Sequence, residues 1–194
     1  LRQGDRVAGV DAAGGRISSP VVVDAAGAWA ALLAGEAGVP LPAAPVRSSY
    51  WITARHGRIR RTQPAVILPE ARGYARPEAG GLLFGVREEV SRVIDPRLLP
   101  ETLDGWSMTT EEDRWDVLAA AARGLSRFLP FLEETGIAHF VEGLSTYTPD
   151  GMLVLGETPS VRGLFALTGC SGAGISVAGG AGRLVAELAS GRAP

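Results

Sequence analysis

Short apolar runs separated by glycine and proline follow one another along most of the chain. Continuous or alternating apolar runs of this length predict β-strands. The predicted strands are Pro20–Asp24, Val46–Thr53, Ala65–Leu68, Gly73–Arg76, Gly81–Val86, Ala138–Tyr147, Met152–Leu155 and Leu164–Leu167. The closely spaced strands in the middle of the chain are typical of an antiparallel sheet. The β-branched run Val21–Val23 suits a parallel strand that is buried on both faces.

Helical spacing of apolar residues predicts three helices. Ala28–Ala37 is a short run rich in alanine and leucine. In Glu111–Phe128 the apolar residues recur at helical spacing, and Thr110–Asp113 at its start resembles a capping box. A helix of small residues, Ile175 to about Ser190, follows the glycine-rich segment Thr168–Gly174.

A basic segment, Arg55–Arg61, lies between two predicted strands. Glycine favours turns because it adopts backbone conformations that other residues avoid, and Gly57 stands at the centre of the segment. We interpret the segment as a solvated hairpin turn, and an anion site is the less favoured alternative.

Composition narrows the class of protein. The chain has 194 residues, 46% of them hydrophobic, and a formal net charge of -2, so we expect a globular domain that does not bind nucleic acid as its main partner. Cys170 is the single cysteine. An internal disulfide is therefore impossible, and a cytoplasmic location is the default expectation. Apolar runs long enough to span a membrane do not occur, and His56 and His139 stand too far apart in sequence to predict a metal site.

The glycine-rich segment Gly169–Gly174 separates a predicted strand from a predicted helix. The start of a helix presents unpaired N–H groups and a partial positive charge, which together stabilise an anion or an electron-rich oxygen. Phosphate and reduced flavin are both candidates. The segment lacks the Gly-Lys-Ser/Thr of a P-loop, and a tight structural turn explains its glycines as well as a ligand cradle does.

Three segments carry a resemblance to a known family. Val21–Trp29 resembles the strand motif "VVNAAGAW", and Tyr74–Gly85 resembles "YxRPE…GGLLxG". Thr148–Gly174 resembles "TPDGxPxxG…PGLYxATGHSGHG". All three belong to the D-amino-acid-oxidase-like FAD-dependent oxidoreductases, which include glycine, sarcosine and dimethylglycine oxidases and dehydrogenases.

The resemblance implies an α/β (α+β) fold with two kinds of domain. Residues 1–41 would end the first part of a Rossmann-like FAD-binding domain, and residues 42–140 would form a substrate-binding domain with a mostly antiparallel sheet. Residues 141–194 would form the C-terminal segment that covers the FAD. In this family the GxGxxG fingerprint precedes the "AAGAW" strand, so we expect it upstream of Leu1.

Family members oxidise a C–N bond of an amine or amino acid by transferring a hydride equivalent to the flavin. By resemblance, the cofactor-binding residues are Ala26, Gly27, Gly172, Ala173, Gly174, Ile175 and Ser176. The backbone N–H groups among the last five would stabilise the reduced flavin. Close packing is an alternative role for Ala26 and Gly27.

The candidate catalytic residues are Tyr74, Arg76, Ser145 and Tyr147. The phenol of Tyr74 could face the substrate, or the residue could be a half-buried sheet tyrosine. Arg76 could bind a substrate carboxylate, although a salt bridge is the favoured alternative. Ser145 and Tyr147 lie in Glu142–Asp150, which resembles the dimethylglycine and sarcosine dehydrogenase branch.

Several positions depart from the family pattern. Glycine-oxidase-like members have an arginine at Ser145, and monomeric-sarcosine-oxidase-like members have a lysine at Ser176. A cysteine that tethers FAD in some members is Gly143 here, so non-covalent FAD is expected. A histidine often found in the loop is Ala173. These losses leave open an alternative, a non-catalytic binding or interaction module that kept the fold.

The resemblance implies a small amine as the substrate. It also implies that the remaining contacts to FAD come either from an N-terminal FAD-binding segment or from a partner chain. Residues 1–194 alone should bind FAD weakly or not at all, because the contacts to pyrophosphate and adenosine would be absent. We expect the strands at Val21–Asp24 and Leu164–Leu167 to lie near each other in the FAD-binding domain. Without the missing neighbours, Val21–Val23 and Leu164–Leu167 are both expected to lie at apolar sheet edges.

Overall fold

The computed structural model describes residues 1–107 and 115–193. The predicted capping box at Thr110–Asp113 therefore lies outside the described residues. The twelve described strands are β1 (Arg2–Gln3), β2 (Arg6–Val7), β3 (Gly9–Ala12), β4 (Gly15–Ser18), β5 (Val22–Asp24), β6 (Ala44–Thr53), β7 (Val66–Leu68), β8 (Gly73–Glu78), β9 (Gly81–Val86), β10 (Ile137–Tyr147), β11 (Val154–Glu157) and β12 (Leu164–Thr168). The described α-helices are α1 (Ala30–Glu36), α2 (Trp115–Ser126) and α3 (Gly174–Ala189). Short 3₁₀ helices cover Gly27–Trp29, Pro69–Ala71, Pro96–Leu98 and Pro130–Glu133.

The chain divides into two compact units. The first unit contains Leu1–Val46, Val93–Leu99 and Leu144–Pro194. The second contains Arg47–Arg92 and Pro100–Gly143. The chain passes from one unit to the other within strands β6 and β10, and Val93–Leu99 belongs to the first unit although the sequence-based ranges put it in the middle domain.

A three-stranded sheet in the order β11-β12-β5 organises the first unit. Strand β12 is parallel to β5, with Leu164 opposite Val22 and Ala166 opposite Asp24, and antiparallel to β11. The prediction that these two apolar strands lie together in one domain is therefore confirmed. The expectation that both are edge strands is wrong for Leu164–Leu167, because β11 covers the other side of β12.

Helices α1 and α3 both contact the three-stranded sheet. One core cluster, built from Val7, Ala34, Val39, Val161 and Leu164, has Val22 packed against it. Gly163 allows a close approach in this region. Its φ is +78°, and a Cβ at this position would overlap the carbonyl oxygen of Pro20. Glycine is therefore required at position 163, directly before β12, because a side chain there would overlap the backbone of Pro20.

A five-stranded sheet in the order β10-β6-β9-β8-β7 dominates the second unit. The registered pairs β6–β9, β8–β9 and β7–β8 are antiparallel, which confirms the predicted fold class. The basic segment Arg55–Arg61 joins β6 to β7, and these two strands are not neighbours. The hairpin interpretation is therefore wrong, because β9 and β8 lie between the two strands that the segment connects.

Helix α2 covers one face of this sheet. The core cluster contains Trp51, Ala75, Leu82, Phe84, Leu118, Ala121, Leu125, Phe131 and Leu132. Gly73 permits the contact, because a Cβ there would lie 2.5 Å from Cδ2 of Leu125. Side chains alternate across a strand, so Gly73 and Ala75 face the helix while Tyr74 and Arg76 lie on the opposite face.

A buried ion pair ties β6 to β10 within the second unit. The guanidinium of Arg47 donates to Oε2 of Glu142 at 2.6 Å, and the hydroxyl of Ser49 donates to Oε1 at 3.0 Å. The Glu142 side chain is fully buried. Because both carboxylate oxygens accept hydrogen bonds, the desolvation cost of the charge is offset.

Candidate functional site

The glycine-rich segment forms a tight turn between β12 and α3. Gly169, Ser171 and Gly172 have φ values of +75°, +51° and +83°, a region that glycine adopts without steric cost. Ala173 precedes the first helical residue, and no side chain caps the helix. The first N–H groups of α3 consequently have no intrahelical partner and face outward at a point of partial positive charge.

The end of β10 lies against this turn. The N–H of Ser171 donates to the carbonyl of Thr146 at 2.9 Å. A Cβ on Gly169 would lie 2.5 Å from Cγ2 of Thr148, so the turn and the Thr-Pro-Asp-Gly segment pack closely. The two motifs that the sequence separates by some twenty residues are therefore one structural feature.

Two predicted catalytic hydroxyls point toward Gly172. A Cβ built on this glycine would lie 3.6 Å from the phenol oxygen of Tyr147 and 3.9 Å from the hydroxyl oxygen of Ser145. Both side chains are half-buried. The protein atoms nearest to the place of a side chain on Gly172 are thus two neutral hydroxyl groups.

The turn after β5 lies in the same unit. Gly27, with φ +57°, has open space where a side chain would stand. The hydroxyl of Thr168 donates to the carbonyl of Gly27 at 3.4 Å, which joins this turn to the last residue of β12. Ala26 is half-buried and Gly27 is exposed.

Asp24 is a feature that the sequence analysis did not assign to the site. It is 1% exposed, and its Oδ1 accepts the N–H of Ala26 at 3.1 Å. Its Oδ2 has no hydrogen-bond partner among the described residues. Burial raises the pKa of this carboxyl above 3.8, and the hydrogen bond from Ala26 opposes that shift. The sequence signal was a charged residue directly after the apolar run Val21–Val23. The expectation that this run is buried on both faces is wrong, because Val21 and Val23 are exposed and β5 has a neighbour on one side only in the described chain.

In the turn after β10, the pKa of an aspartate is lowered, in contrast to the raised pKa of Asp24. Asp150 accepts the N–H of Met152 at 3.0 Å, and this bond, with the Thr148 hydroxyl, lowers the pKa of the Asp150 carboxyl. Hydrogen bonds to a carboxylate favour its charged form. The Asp of the Thr-Pro-Asp-Gly segment therefore holds its turn together.

Tyr74 and Arg76 belong to the second unit. The ring of Tyr74 lies over Gly85 on the neighbouring strand, so that a Cβ on Gly85 would overlap it. Arg76 pairs with Glu78. Tyr50 is opposite Gly85 from the other side and shares this face of the sheet. Its place was not predicted, because the alternation in Val46–Thr53 does not give the register between β6 and β9.

The predicted residues therefore fall into two groups. The first unit brings together Ser145, Tyr147 and the cofactor candidates of the glycine loop, and its β5 turn contributes Ala26 and Gly27. The second unit carries Tyr74 and Arg76 on one sheet face. Ile175 is 97% exposed. Its backbone N–H, rather than its side chain, is therefore the group that this residue offers to a cofactor at the helix start.

The residues of the first unit fit the flavin end of FAD. Gly27 and Gly172 leave room for close approach to the backbone, and the uncapped start of α3 suits an electron-rich oxygen. Within residues 1–107 and 115–193, no group of three His, Cys, Asp or Glu side chains could hold a metal ion. No described helix is long and apolar enough to cross a membrane.

Comparison with known proteins identifies the relatives of this chain. The model of the family described as "DAO: FAD dependent oxidoreductase" matches residues 1–188. Human mitochondrial sarcosine dehydrogenase is 33% identical over 182 residues, covering 94% of this chain and 19% of that protein. The mitochondrial pyruvate dehydrogenase phosphatase regulatory subunit of Mus musculus is 30% identical over 185 residues, covering 94% and 21%.

A solved structure agrees with this assignment. Glycine oxidase from Geobacillus kaustophilus superposes with a TM-score of 0.73 at 26% identity, covering 95% of this chain and 45% of that one. The chain therefore spans about a fifth of the two curated relatives and less than half of the solved structure.

Proposed function

Because this chain belongs to the family of FAD-dependent oxidoreductases, we propose that its protein oxidises a carbon–nitrogen bond of an amine. The substrate class that we propose is a secondary or tertiary amine, such as an N-methylated amino acid. The observation that carries the proposal is the convergence of the Ser145 and Tyr147 hydroxyls on Gly172, beside the uncapped start of α3.

FAD, when bound, supplies an acceptor for a hydride equivalent from the C–H next to the amine nitrogen. The chain's own contribution is positioning and charge. The N–H groups at the start of α3 are oriented to stabilise negative charge, since no side chain competes for them. The side chains at Gly27 and Gly172 are absent, which leaves the backbone accessible.

The hydroxyls of Ser145 and Tyr147 can each donate or accept a hydrogen bond. They can therefore orient a polar substrate group whether that group is a hydrogen-bond donor or an acceptor. A cation at position 145 or 176 would hold the carboxylate of a substrate, and both positions are serines. Neutral hydroxyls support a substrate that is recognised through its substituted nitrogen, the class named in the similar sarcosine dehydrogenase.

FAD would be held without a covalent bond, because position 143 is glycine and offers no thiol. The remaining contacts would come from an N-terminal segment or a partner chain. Strand β5 supports this, since it lies at the edge of its sheet in the described part of the chain. Val23 in this strand is 42% exposed, and Val21 just before it is 36% exposed. The single cysteine is the basis for proposing a cytoplasmic location.

Isothermal titration of residues 1–194 with FAD tests the need for further contacts. Several charge-assisted hydrogen bonds, at about 1.5–3 kcal/mol each, would be missing. We expect no measurable heat of binding. A dissociation constant of about 1 µM or tighter would show that these residues are a sufficient site.

The activity itself is tested on the full-length protein that contains residues 1–194, loaded with FAD. Reduction of an artificial electron-accepting dye is followed with sarcosine, dimethylglycine and glycine. We expect reduction with the N-methylated amines and release of formaldehyde. Tyr147→Phe, which keeps the ring and removes the hydroxyl, should raise KM about tenfold, the cost of one lost hydrogen bond. An FAD-loaded protein that none of these or other amines reduces would contradict the proposal.

A non-catalytic binding or interaction module is the second candidate. The observation that favours it is the similarity to a relative named as a regulatory subunit, together with serines at both family cation positions. Flavin content separates the two candidates. A full-length protein that contains no FAD and takes none up would favour the module, as would an upstream sequence without GxGxxG.

A further inference from the structure

A cationic loop and an apolar pocket adjoin in the second unit, and the proposed oxidation uses neither. Arg55, Arg58, Arg60 and Arg61 stand within seven residues, and residues 54–69 contain no acidic side chain. The chain as a whole carries a net charge of -2. Positive charge is therefore concentrated at this place rather than spread over the molecule.

The four guanidinium groups have no carboxylate partner among the described residues. The ion pairs of the described chain use other arginines, those at 16, 47, 72, 76, 97, 162 and 183. All four loop arginines are exposed. They consequently remain available to an anionic partner.

The loop is held in one conformation by its own hydrogen bonds. The N–H of Arg60 donates to Oε1 of Gln63 at 2.7 Å, and the N–H of Arg58 donates to Nδ1 of His56 at 3.2 Å. The imidazole of His56 stacks on Phe131, with ring centroids 5.1 Å apart. A preorganised loop loses little conformational entropy when it binds.

A pocket of about 240 Å³ opens beside the loop. Apolar side chains form most of its wall, among them Ile59, Val66 and Phe131, and Arg58 also lines it. The space suits one apolar group with a negative charge next to it. It does not suit a polyanion such as nucleic acid, because the wall has little polar surface.

Strand β7 adjoins the pocket and, with the loop and the pocket, forms one continuous surface of the second unit. It is an edge strand of the five-stranded sheet in the described chain. Val66 lines the pocket and Ile67 is 80% exposed. An edge strand can pair with an extended segment of another polypeptide, whose alternate side chains then enter neighbouring pockets.

We propose that Arg55–Arg61, the pocket and β7 bind an extended acidic segment of a partner protein. An apolar side chain of that segment would enter the pocket, and flanking carboxylates would pair with the loop arginines. Charge complementarity favours this occupant over a second copy of the chain, because the copy would bring the same four arginines to the interface. The pocket alone could take a small amphipathic carboxylate, but the exposed β7 and the three arginines outside the pocket would then be unused.

Fluorescence anisotropy tests the proposal with a short labelled peptide in which glutamates flank a central leucine on both sides. We expect saturable binding that weakens as salt is added. Replacing the glutamates with glutamine should weaken binding at least about tenfold, since several exposed ion pairs are lost together. Replacing the leucine with serine should weaken it by a similar factor.

The protein variants remove positive charge in two places, four charges at the loop and one charge elsewhere. Replacing the four loop arginines with glutamine should abolish binding, whereas Arg192→Gln, at an exposed arginine of the first unit, should leave it unchanged. A thermal unfolding curve for each variant checks that it is folded.

Three results would overturn the proposal. The first is equal affinity for the acidic and the glutamine peptides, or no binding of either. The second is complete competition by octanoate with no effect of salt, which would assign the pocket to a small carboxylate. The third is binding to anionic phospholipid vesicles without binding to the peptide.

Discussion

The carboxyl of Asp24 offers a quantitative test of the site's electrostatics. The side chain is 1% exposed, and only one of its oxygens has a hydrogen-bond partner among the described residues. Asp24→Asn keeps the shape and the Oδ1 acceptor for the N–H of Ala26. It removes the group that titrates.

The sign of the effect follows from the direction of the pKa shift. Burial raises the pKa of Asp24 above its ordinary value of 3.8. Below pH 3.8 the carboxyl is neutral in both states, so it costs the folded state nothing. As the pH rises toward the folded-state pKa, the unfolded chain releases its proton more readily, and the wild type loses stability relative to Asp24→Asn.

The size of the effect is bounded by the buried oxygen without a partner. Leaving one buried polar atom unsatisfied costs about 1–3 kcal/mol. The amide of the Asn variant adds its own unsatisfied donor, but that cost does not change with pH. The diagnostic quantity is therefore the difference in stability between high and low pH, not its value at one pH.

Urea unfolding of wild type and Asp24→Asn between about pH 2 and about pH 8 measures this difference. We expect the variant to gain on the wild type as the pH rises and the gain to level off. Asp150→Asn is the control of opposite sign, because hydrogen bonds lower the pKa of Asp150. Its loss of stability should be present above pH 3.8 and vanish as the pH falls through the lower, folded-state pKa. A pH-independent difference for Asp24→Asn would refute the reasoning.

Three further substitutions test packing and the site. Gly163→Ala should cost about 2–5 kcal/mol, because left-handed φ is strained for alanine and the new Cβ overlaps the carbonyl of Pro20. Arg47→Met should cost about 3–5 kcal/mol by leaving Glu142 buried without its cation; both losses are measured by urea unfolding. Gly172→Ala should cost only about 1–2 kcal/mol, since its Cβ meets no atom closer than 3.6 Å, yet it should weaken FAD binding by the full-length protein at least about tenfold, as measured by flavin fluorescence.

Matched controls separate these causes. Gly191 has a φ of +69° and open space where a Cβ would stand. The variant Gly191→Ala should therefore match Gly172→Ala in stability and leave FAD binding unchanged. Equal FAD affinities for the two variants would remove Gly172 from the site. Arg47→Met combined with Glu142→Leu should recover much of the lost stability, because the lone buried charge is gone.

The strands were predictable where their pattern is local. Gly81–Val86 was predicted with the bounds that the structure has, because glycine marks its start and an unbroken apolar run follows. Pairing was harder, since it depends on contacts between distant residues. Arg55–Arg61 contains turn residues, and nothing in its sequence indicates that β8 and β9 lie between the strands it joins.

The glycine loop was predictable because its glycines, the preceding strand and the following helix occur together in sequence. The orphaned oxygen of Asp24 was not, since its burial depends on the packing of β5 against β12. Tyr50 was missed for a related reason. Its place beside Gly85 depends on the register of two strands, which the alternation pattern alone does not give.

The most direct test of the central claim is the anaerobic absorbance spectrum of the FAD-loaded full-length protein during titration with sarcosine or dimethylglycine. We predict that the visible absorbance band of the oxidised flavin is bleached as the amine donates its hydride equivalent to the cofactor. A protein that retains an unbleached flavin with every secondary and tertiary amine, or that binds no flavin, would contradict the claim that this chain serves amine oxidation.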